Sequence, residues 1–117
     1  DDAWQIVKHL GDRRQEHFLS ISLNGAHELI AMRVVSVGLV NRTVVHPREV
    51  FADPIVDRAS AIILAHNHPS GSLEPSGEDD EVTTRLRESG ALLGIEVIDH
   101  IIFSSDAWYS YLQERRL

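Results

Sequence analysis

An unbroken apolar run over residues 61–65 (AIILA) lies near the middle of this chain of 117 residues. A short run of branched aliphatic side chains is typical of a β-strand that is buried on both faces. Such a strand needs other elements packed against both sides of its sheet, because neither face can be left in water. The sequence therefore predicts an α/β fold, in which a mixed β-sheet with a central strand over residues 60–66 is flanked by helices on both faces.

The first half of the chain predicts a short helix followed by a hairpin. Asp2 can cap a helix that begins at Trp4, and Gly11 ends it. Alternating side chains predict a strand over residues 16–23, and Asn24-Gly25 is a strong hairpin signal before a returning strand over about residues 28–37. An extended piece over residues 43–45 is expected to follow.

The second half predicts strands that alternate with helices. Pro47 suits the first turn of a helix, whereas Pro54 within the same helix predicts a kink or a split. A helix is expected from Gly77 to about Leu92, followed by a strand over residues 95–103. Residues 106–111 fit either an edge strand or a helical turn, and the charged tail over residues 113–117 is expected to be loosely held.

His66 and His68 follow the central strand at alternate positions, so their side chains project to the same side. Asp79 opens the next helix and shares a helix face with Val82 and Leu86, which directs its carboxylate towards the sheet. A carboxylate buried there favours a cationic partner. Two imidazoles and one carboxylate are suitable zinc ligands, and three protein ligands leave a fourth coordination position open, as in catalytic zinc sites.

The same residues also have a purely structural interpretation. Ser76 and Asp79 form a capping-box pattern, in which Ser76 is the N-cap of the helix and Asp79 only completes its first turn. A His-x-His pair by itself is weak evidence for a metal site. Residue types and spacing alone leave both interpretations open.

Several motifs resemble one family of metalloproteins. His66 and His68, a gap of seven residues, then Ser76, two residues and Asp79 resemble the metal signature of the JAMM (MPN-plus, JAB-like) metallopeptidases. Other segments resemble the RadC branch of that group. They are residues 66–71 (HNHPSG), 16–19 (EHFL), 46–51 (HPREVF) and 99–102 (DHII). The chain is identified on this basis as a member of the RadC family, over nearly its whole length.

The resemblance implies a specific fold and activity. The fold would be a JAMM/MPN-type sandwich similar to cytidine deaminases, in a single RadC-like domain over residues 1–117 that is the C-terminal part of a longer chain. The activity would be that of a zinc-dependent metallopeptidase or isopeptidase. One Zn²⁺ per chain would be held by His66, His68 and Asp79. Glu16 would be the general base and acid, and Ser76 would stabilise the oxyanion.

Other residues have weaker or competing interpretations. Without the resemblance, Glu16 reads as an exposed acid at the start of a strand. His46, Arg48 and Glu49 are further candidates for the cleft, and Arg48 could clamp a substrate carboxylate, although this segment equally fits the start of a helix. His100 lies in an apolar strand with Ile98 and Ile102. We therefore expect a hydrogen-bonded core histidine there rather than a metal ligand.

Composition restricts the classes of function. The absence of cysteine excludes Cys-ligated zinc, disulfides and a thiol nucleophile, and it excludes the zinc deaminases, which need a Cys pair. The net charge is −7, and the compact basic clusters are the pairs Arg13-Arg14 and Arg115-Arg116. DNA binding is therefore not expected, because nucleic-acid binders usually carry a basic patch. The alternative is a DNA-repair-associated accessory module with a structural or inactive metal site.

The remaining expectations concern partners and location. No apolar run approaches the roughly 20 residues needed to span a bilayer, so no membrane partner is expected. A cytoplasmic location is expected, and the absence of cysteines is compatible with it. The partner is expected to be a peptide or protein substrate, and the oligomeric state is left open.

Overall fold

A computed structural model describes residues 2–11, 14–38 and 45–117 of the chain. Within these ranges, helix α1 (Asp2–Val7) continues into a 3₁₀ turn (Lys8–Leu10). The other helices are α2 (Pro47–Val56) and α3 (Gly77–Leu93). The strands are β1 (His17–Leu23), β2 (Leu29–Val37), β3 (Ala61–Asn67), β4 (Glu96–Phe103) and β5 (Trp108–Ser110).

The strands of the described ranges form one five-stranded sheet in the order β2-β1-β3-β4-β5. The β3–β4 pair is parallel, and the other pairs are antiparallel. Helix α3 makes the crossover that a parallel pair requires. The prediction of an α/β fold with a mixed sheet and a central strand in the middle of the chain is therefore confirmed.

Both faces of the sheet are covered, as predicted. The face under α2 and α3 carries the α3-side core, whose buried members are Phe18, Val45, Val50, Phe51, Ile62, Leu64, Val82, Leu86, Ile95 and Val97. The opposite face carries the α1-side core, whose buried members are Ala3, Val7, Leu10, Leu19, Ile21, Leu23, Ala61, Ala65, Ile101 and Phe103. Alternation along β3 divides its side chains between the two cores.

The hairpin predicted at Asn24-Gly25 joins β1 to β2 through a loop over residues 24–28. The side-chain oxygen of Asn24 accepts hydrogen bonds from the backbone N–H groups of Ala26 and Glu28, each at 2.9 Å. His27 adopts a positive φ of 60°, which completes the turn. The loop is therefore closed by the amide of Asn24.

Helix α2 is not split at Pro54, contrary to one of the predicted outcomes. Pro54 is buried, and it lies so near the C-terminus of the helix that its missing N–H affects only the last turn. That turn still closes through a hydrogen bond of 2.8 Å from Asp57 N–H to the carbonyl of Asp53. The helix continues to Val56.

The end of the chain is better anchored than predicted. Residues 108–110 form an edge strand, which decides between the two alternatives for this segment. The backbone N–H of Arg116 donates to the carbonyl of Tyr111 at 2.8 Å, and its guanidinium pairs with Asp80 at 2.6 Å. The expectation of a loosely held tail is therefore wrong, because α3 supplies a carboxylate that binds it.

Two parts of the predictions lie outside the described ranges, namely residues 43 and 44 of the extended piece and Arg13 of one basic pair. Among the helices that the structure describes, none is long and apolar enough to cross a membrane.

Candidate metal centre

Three side chains converge where β3 ends and α3 begins. One ligand atom from each of His66, His68 and Asp79 lies within 4.8 Å of the others. His66 Nε2 is 3.0 Å from His68 Nε2 and 2.9 Å from Asp79 Oδ1, and His68 Nε2 is 3.1 Å from Asp79 Oδ2. The structure therefore brings together the three residues that the sequence predicted as metal ligands.

The loop and cap after β3 carry Asp79 back to the histidines. Ser76 is the N-cap of α3, its hydroxyl accepts from Asp79 N–H at 3.1 Å, and Ser76 N–H donates to Asp79 Oδ2 at 2.7 Å. Asp79 nevertheless lies against both imidazoles and is buried. The capping and metal-site interpretations are therefore compatible, since one carboxylate serves both.

The electrostatics of the group follow from this packing. Burial by itself would raise the pKa of Asp79, but hydrogen bonds from His66, from His68 and from the backbone of Ser76 outweigh it and hold that pKa well below its usual range. The hydrogen bond to Asp79 raises the pKa of His68 against the opposing effect of burial, and the charge of Glu16 adds to the rise. Asp79 is therefore a carboxylate at this site, and in the structure its charge is stabilised by the two imidazoles and the Ser76 backbone.

The ring nitrogen that His68 presents to the group is suited to bind a metal ion. Its Nδ1 lies 2.9 Å from the carbonyl oxygen of Ser72, which can only accept a hydrogen bond. Nδ1 therefore carries the proton, and in a neutral ring the lone pair is on Nε2, facing Asp79 Oδ2. Two acceptors facing one another repel unless a cation lies between them or the ring takes a second proton. Ligand atoms around a tetrahedral zinc ion lie roughly 3.3–3.5 Å apart, slightly more than the distances here.

His66 is held from behind by a second histidine. His66 Nδ1 lies 2.8 Å from His100 Nε2, and His100 Nδ1 lies 2.5 Å from the hydroxyl of Thr83. Phe18 stacks on the His66 ring with the centroids 5.8 Å apart. Burial holds the pKa of His100 well below its usual value. The prediction that His100 is a hydrogen-bonded core histidine is confirmed, and it lies outside the group of candidate ligands in the described chain.

A bulge in β4 places His100 on this face. Val97 pairs with Ile62, whereas His100 pairs with Leu64, so β4 contains one extra residue between these pairs. As a result, Ile98 packs against the α1-side core while His100 faces α3. Ile98 and His100 would share a face in a regular strand, but the bulge interrupts the alternation and separates them.

Glu16 lies immediately before β1 and beside the metal group. Phe18 pairs with His66 in the antiparallel register, so extending that register by two residues places Glu16 opposite His68. The backbone of Glu16 is fixed by a hydrogen bond of 2.8 Å from Gly38 N–H to its carbonyl. Its side chain is half-buried, and its charge acts on His68. The sheet thus brings an acid distant in sequence to the edge of the site.

The capping role of Ser76 is compatible with the donor role predicted for it. Ser76 is exposed at the start of α3, and its hydroxyl oxygen accepts the hydrogen bond that caps the helix. A hydroxyl that accepts a hydrogen bond still has its own proton to donate. The cap therefore leaves Ser76 able to donate to a substrate oxygen.

The segment at the start of α2 has a local role in the described structure. His46 is the N-cap of α2, and its Nδ1 accepts from Arg48 N–H at 3.2 Å. Arg48 and Glu49 are exposed and pair at 3.9 Å. The His46 cap stabilises the beginning of the helix, which is the structural interpretation left open by the sequence.

Thr83 and Tyr111 are part of the site but were missed by sequence reasoning. Thr83 lies four residues after Asp79 on α3, a spacing that puts both on one helix face and could have identified it. Tyr111 stacks on His100 with the centroids 4.9 Å apart and the rings 6° from parallel. No local pattern predicts that contact, because it depends on how β5 pairs with β4.

A mixed α/β sheet with a His-His-Asp group at the end of its central strand defines the class of protein, an α/β domain with a candidate metal site. The chain belongs to the RadC family. The family model described as "RadC-like JAB domain" matches residues 1–117. The resemblance deduced from the motifs is therefore confirmed.

Relatives in several organisms carry the name "UPF0758 protein". One from Methanospirillum hungatei is 56% identical over 84% of this chain and 44% of its own length. One from Alkaliphilus metalliredigens is 52% identical over 96% of this chain and 48% of its own. One from Moorella thermoacetica is 52% identical over 100% of this chain and 51% of its own. The chain thus spans about half the length of these curated relatives, whose names state no activity.

Proposed function

We propose that this chain is a zinc-dependent metallohydrolase that cleaves an amide bond in a peptide or protein. The observation that carries the proposal is the convergence of His66, His68 and Asp79 within 4.8 Å at the end of the central strand. The placement of Glu16 opposite His68 in the extended register adds an acid at the same edge. A bound metal ion with a carboxylic acid beside it is the usual basis of metal-assisted hydrolysis.

Among zinc, magnesium and calcium, zinc suits this set of residues best. Two imidazoles and a carboxylate resemble the two-His, one-carboxylate ligand set of zinc hydrolases, which leaves a position for the reactants. Magnesium and calcium prefer all-oxygen ligand sets. The chain has no cysteine that could close the site as in structural zinc sites.

The chain's own residues would divide the reaction between them. When bound, zinc would lower the pKa of a water molecule towards about 7 and polarise the substrate carbonyl. Glu16 would take a proton from the attacking water as the C–O bond forms, and would return it to the leaving amine when the C–N bond breaks. Ser76 would donate its hydroxyl proton to the oxyanion that develops on the carbonyl.

The charge of the chain supports a peptide or protein substrate rather than DNA. The net charge is −7, so few phosphates could be neutralised. Arg116 in one of the basic pairs is engaged by Asp80 at 2.6 Å. An acidic surface on which Arg116 is already paired disfavours duplex DNA.

The test is a comparison of zinc-loaded and chelated protein on a peptide library, with zinc content measured in the same samples. The zinc-loaded wild type should cleave, the chelated protein should not, and Asp79→Ala should lack both zinc and cleavage. Cleavage that survives complete removal of metal would overturn the proposal. A zinc-loaded wild type that cleaves no member of the library would count against amide hydrolysis.

A further inference from the structure

A chain of hydrogen bonds runs behind the candidate metal centre, from the first turn of α3 to His66. The Thr83 hydroxyl is 2.7 Å from the carbonyl of Asp79 and 2.5 Å from His100 Nδ1. His100 Nε2 is 2.8 Å from His66 Nδ1. Thr83, His100 and His66 are all buried, so solvent does not compete for these contacts.

The direction of every hydrogen bond in this series follows from the group at one end, the backbone carbonyl of Asp79. The carbonyl of Asp79 can only accept, so Thr83 donates its proton to it. The Thr83 oxygen then accepts from His100 Nδ1–H, and a neutral imidazole with that proton has its lone pair on Nε2. His100 Nε2 accordingly accepts from His66 Nδ1–H. This leaves the lone pair of His66 on Nε2, the atom that faces His68 and Asp79.

We propose that Thr83 and His100 are positioning residues that fix the tautomer and ring orientation of His66 for metal binding. The proposal rests on the proposed function, because it assigns a role to the metal ligand His66. It goes further because it explains how His66 is oriented, since the group behind this ring is His100 and not a backbone carbonyl. His68 reaches the same state through the carbonyl of Ser72 at 2.9 Å.

The His100 ring is itself clamped in place. The β4 bulge turns it towards α3, and Tyr111 stacks on its face at 4.9 Å. The hydroxyl of Tyr111 donates to Asp80 at 2.7 Å, and Arg116 pairs with the same carboxylate. The tail, through Arg116 and Asp80, therefore helps to hold Tyr111 against the His100 ring, and His100 in turn orients His66.

The loss of one hydroxyl should weaken metal binding. Hydrogen-bond partners behind metal-bound histidines typically contribute about 10–100-fold to metal affinity. Thr83→Val keeps the shape of the side chain but removes both the donor to Asp79 and the acceptor for His100. We therefore expect the zinc dissociation constant of Thr83→Val to rise by about 10–100-fold.

Two further variants serve as controls. Thr83→Ser restores the hydroxyl and should bring the dissociation constant back close to that of the wild type. Ser89→Ala removes the same kind of bond from α3, since the Ser89 hydroxyl donates to the carbonyl of Arg85 at 2.9 Å. It should leave zinc affinity unchanged. Competition with a chromophoric zinc chelator measures all four proteins, and circular dichroism checks that they are folded.

Nitrogen-15 NMR of the imidazoles gives a readout that does not depend on activity or on a variant. In zinc-loaded wild type, His66 and His100 should both carry the proton on Nδ1. A proton on Nε2 of His100 would overturn the proposal even if Thr83→Val fails to fold.

The outcomes separate this proposal from the proposed function. Equal zinc affinity in Thr83→Val and wild type would overturn the positioning role alone. Zinc binding without hydrolysis, with Thr83→Val weakened, would support the positioning role and count against the hydrolase. A wild type that does not bind zinc would overturn both.

Discussion

The two faces of the sheet are both buried, but they carry different chemistry. The α1-side core is built from apolar side chains such as Leu19, Ile21 and Ile101. The other face combines the apolar α3-side core with a buried group that includes His66 and His100. Burying polar groups is unfavourable unless they are hydrogen-bonded, so these histidines depend on the hydrogen bonds that join them to each other and to Thr83. This difference separates a face that holds the fold together from one that holds a site.

The largest effect is expected at the edge of the site. Glu16→Gln keeps the shape of the side chain but cannot take a proton near neutral pH. Turnover should fall by about 10²–10⁴-fold, the usual contribution of general acid–base catalysis, with zinc content unchanged. The measurement is turnover on a substrate found by the library screen.

Glu96→Gln is the matched control for this change, because Glu96 is exposed and pairs with Ala61 at the other end of β3. It should be as active as the wild type. Unchanged turnover in Glu16→Gln would assign the proton transfer to another group.

A pair of variants separates the two faces by their effect on stability. Ile101→Ala in the α1-side core should lower the free energy of unfolding by about 2–5 kcal/mol, with and without zinc. His66→Ala should remove the stabilisation by zinc, which for the wild type is about 4 kcal/mol at a zinc concentration 1,000 times the dissociation constant. Urea unfolding with and without zinc measures both.

The division between the faces would be contradicted if His66→Ala retained the full zinc effect. It would also be contradicted if the loss of stability in Ile101→Ala appeared only in the presence of zinc.

Ser76→Ala tests the residue that both caps α3 and faces the site. Loss of the cap should cost about 1 kcal/mol of stability. Loss of a donor to the oxyanion should lower turnover by about 10²–10³-fold. Thermal unfolding and turnover are measured on the same samples, and a variant that loses stability but not turnover would leave Ser76 with a capping role only.

The smallest effect concerns a half-buried ion pair outside the site. Arg33 donates from Nη2 to Asp57 Oδ1 at 3.1 Å, and this hydrogen bond lowers the pKa of Asp57 against the opposing effect of burial. A depressed pKa contributes stability that is fully present above the unfolded value of about 3.9 and is lost as pH falls through the folded value.

Asp57→Asn should therefore be slightly less stable than the wild type at pH 6, with the difference shrinking as pH falls below about 4. Urea unfolding across this range is the measurement. A difference that grows on acidification would show that the sign assigned to this pair is wrong.

Local pattern predicted where part of the site lies, but it left open whether these residues bind a metal or only cap a helix. His66, His68 and Asp79 lie close together in sequence, and strand alternation with the helix face of Asp79 predicted their convergence. Glu16 was predicted only through the resemblance to a family. Its position depends on the pairing of β1 with β3, and long-range pairing leaves no periodic signal in the sequence.

Other features were beyond local pattern for physical reasons. A bulge at Ile98 changes which β4 side chains share a face, and strict alternation cannot anticipate it. The contacts of Tyr111 with His100 and of Arg116 with Asp80 join segments that meet only in the folded chain. The predicted fold class was nevertheless correct, because the buried apolar run of β3 already required other elements to pack on both faces of the sheet.

The most direct test of the account is a crystal structure of zinc-loaded protein with data collected on both sides of the zinc absorption edge. We expect one anomalous zinc peak per chain, with His66 Nε2, His68 Nε2 and an Asp79 carboxylate oxygen at about 2.0–2.2 Å. The contradicting result would come from protein that is folded and saturated with zinc. Zinc bound at other residues, with no zinc peak between these three side chains, would contradict the central claim.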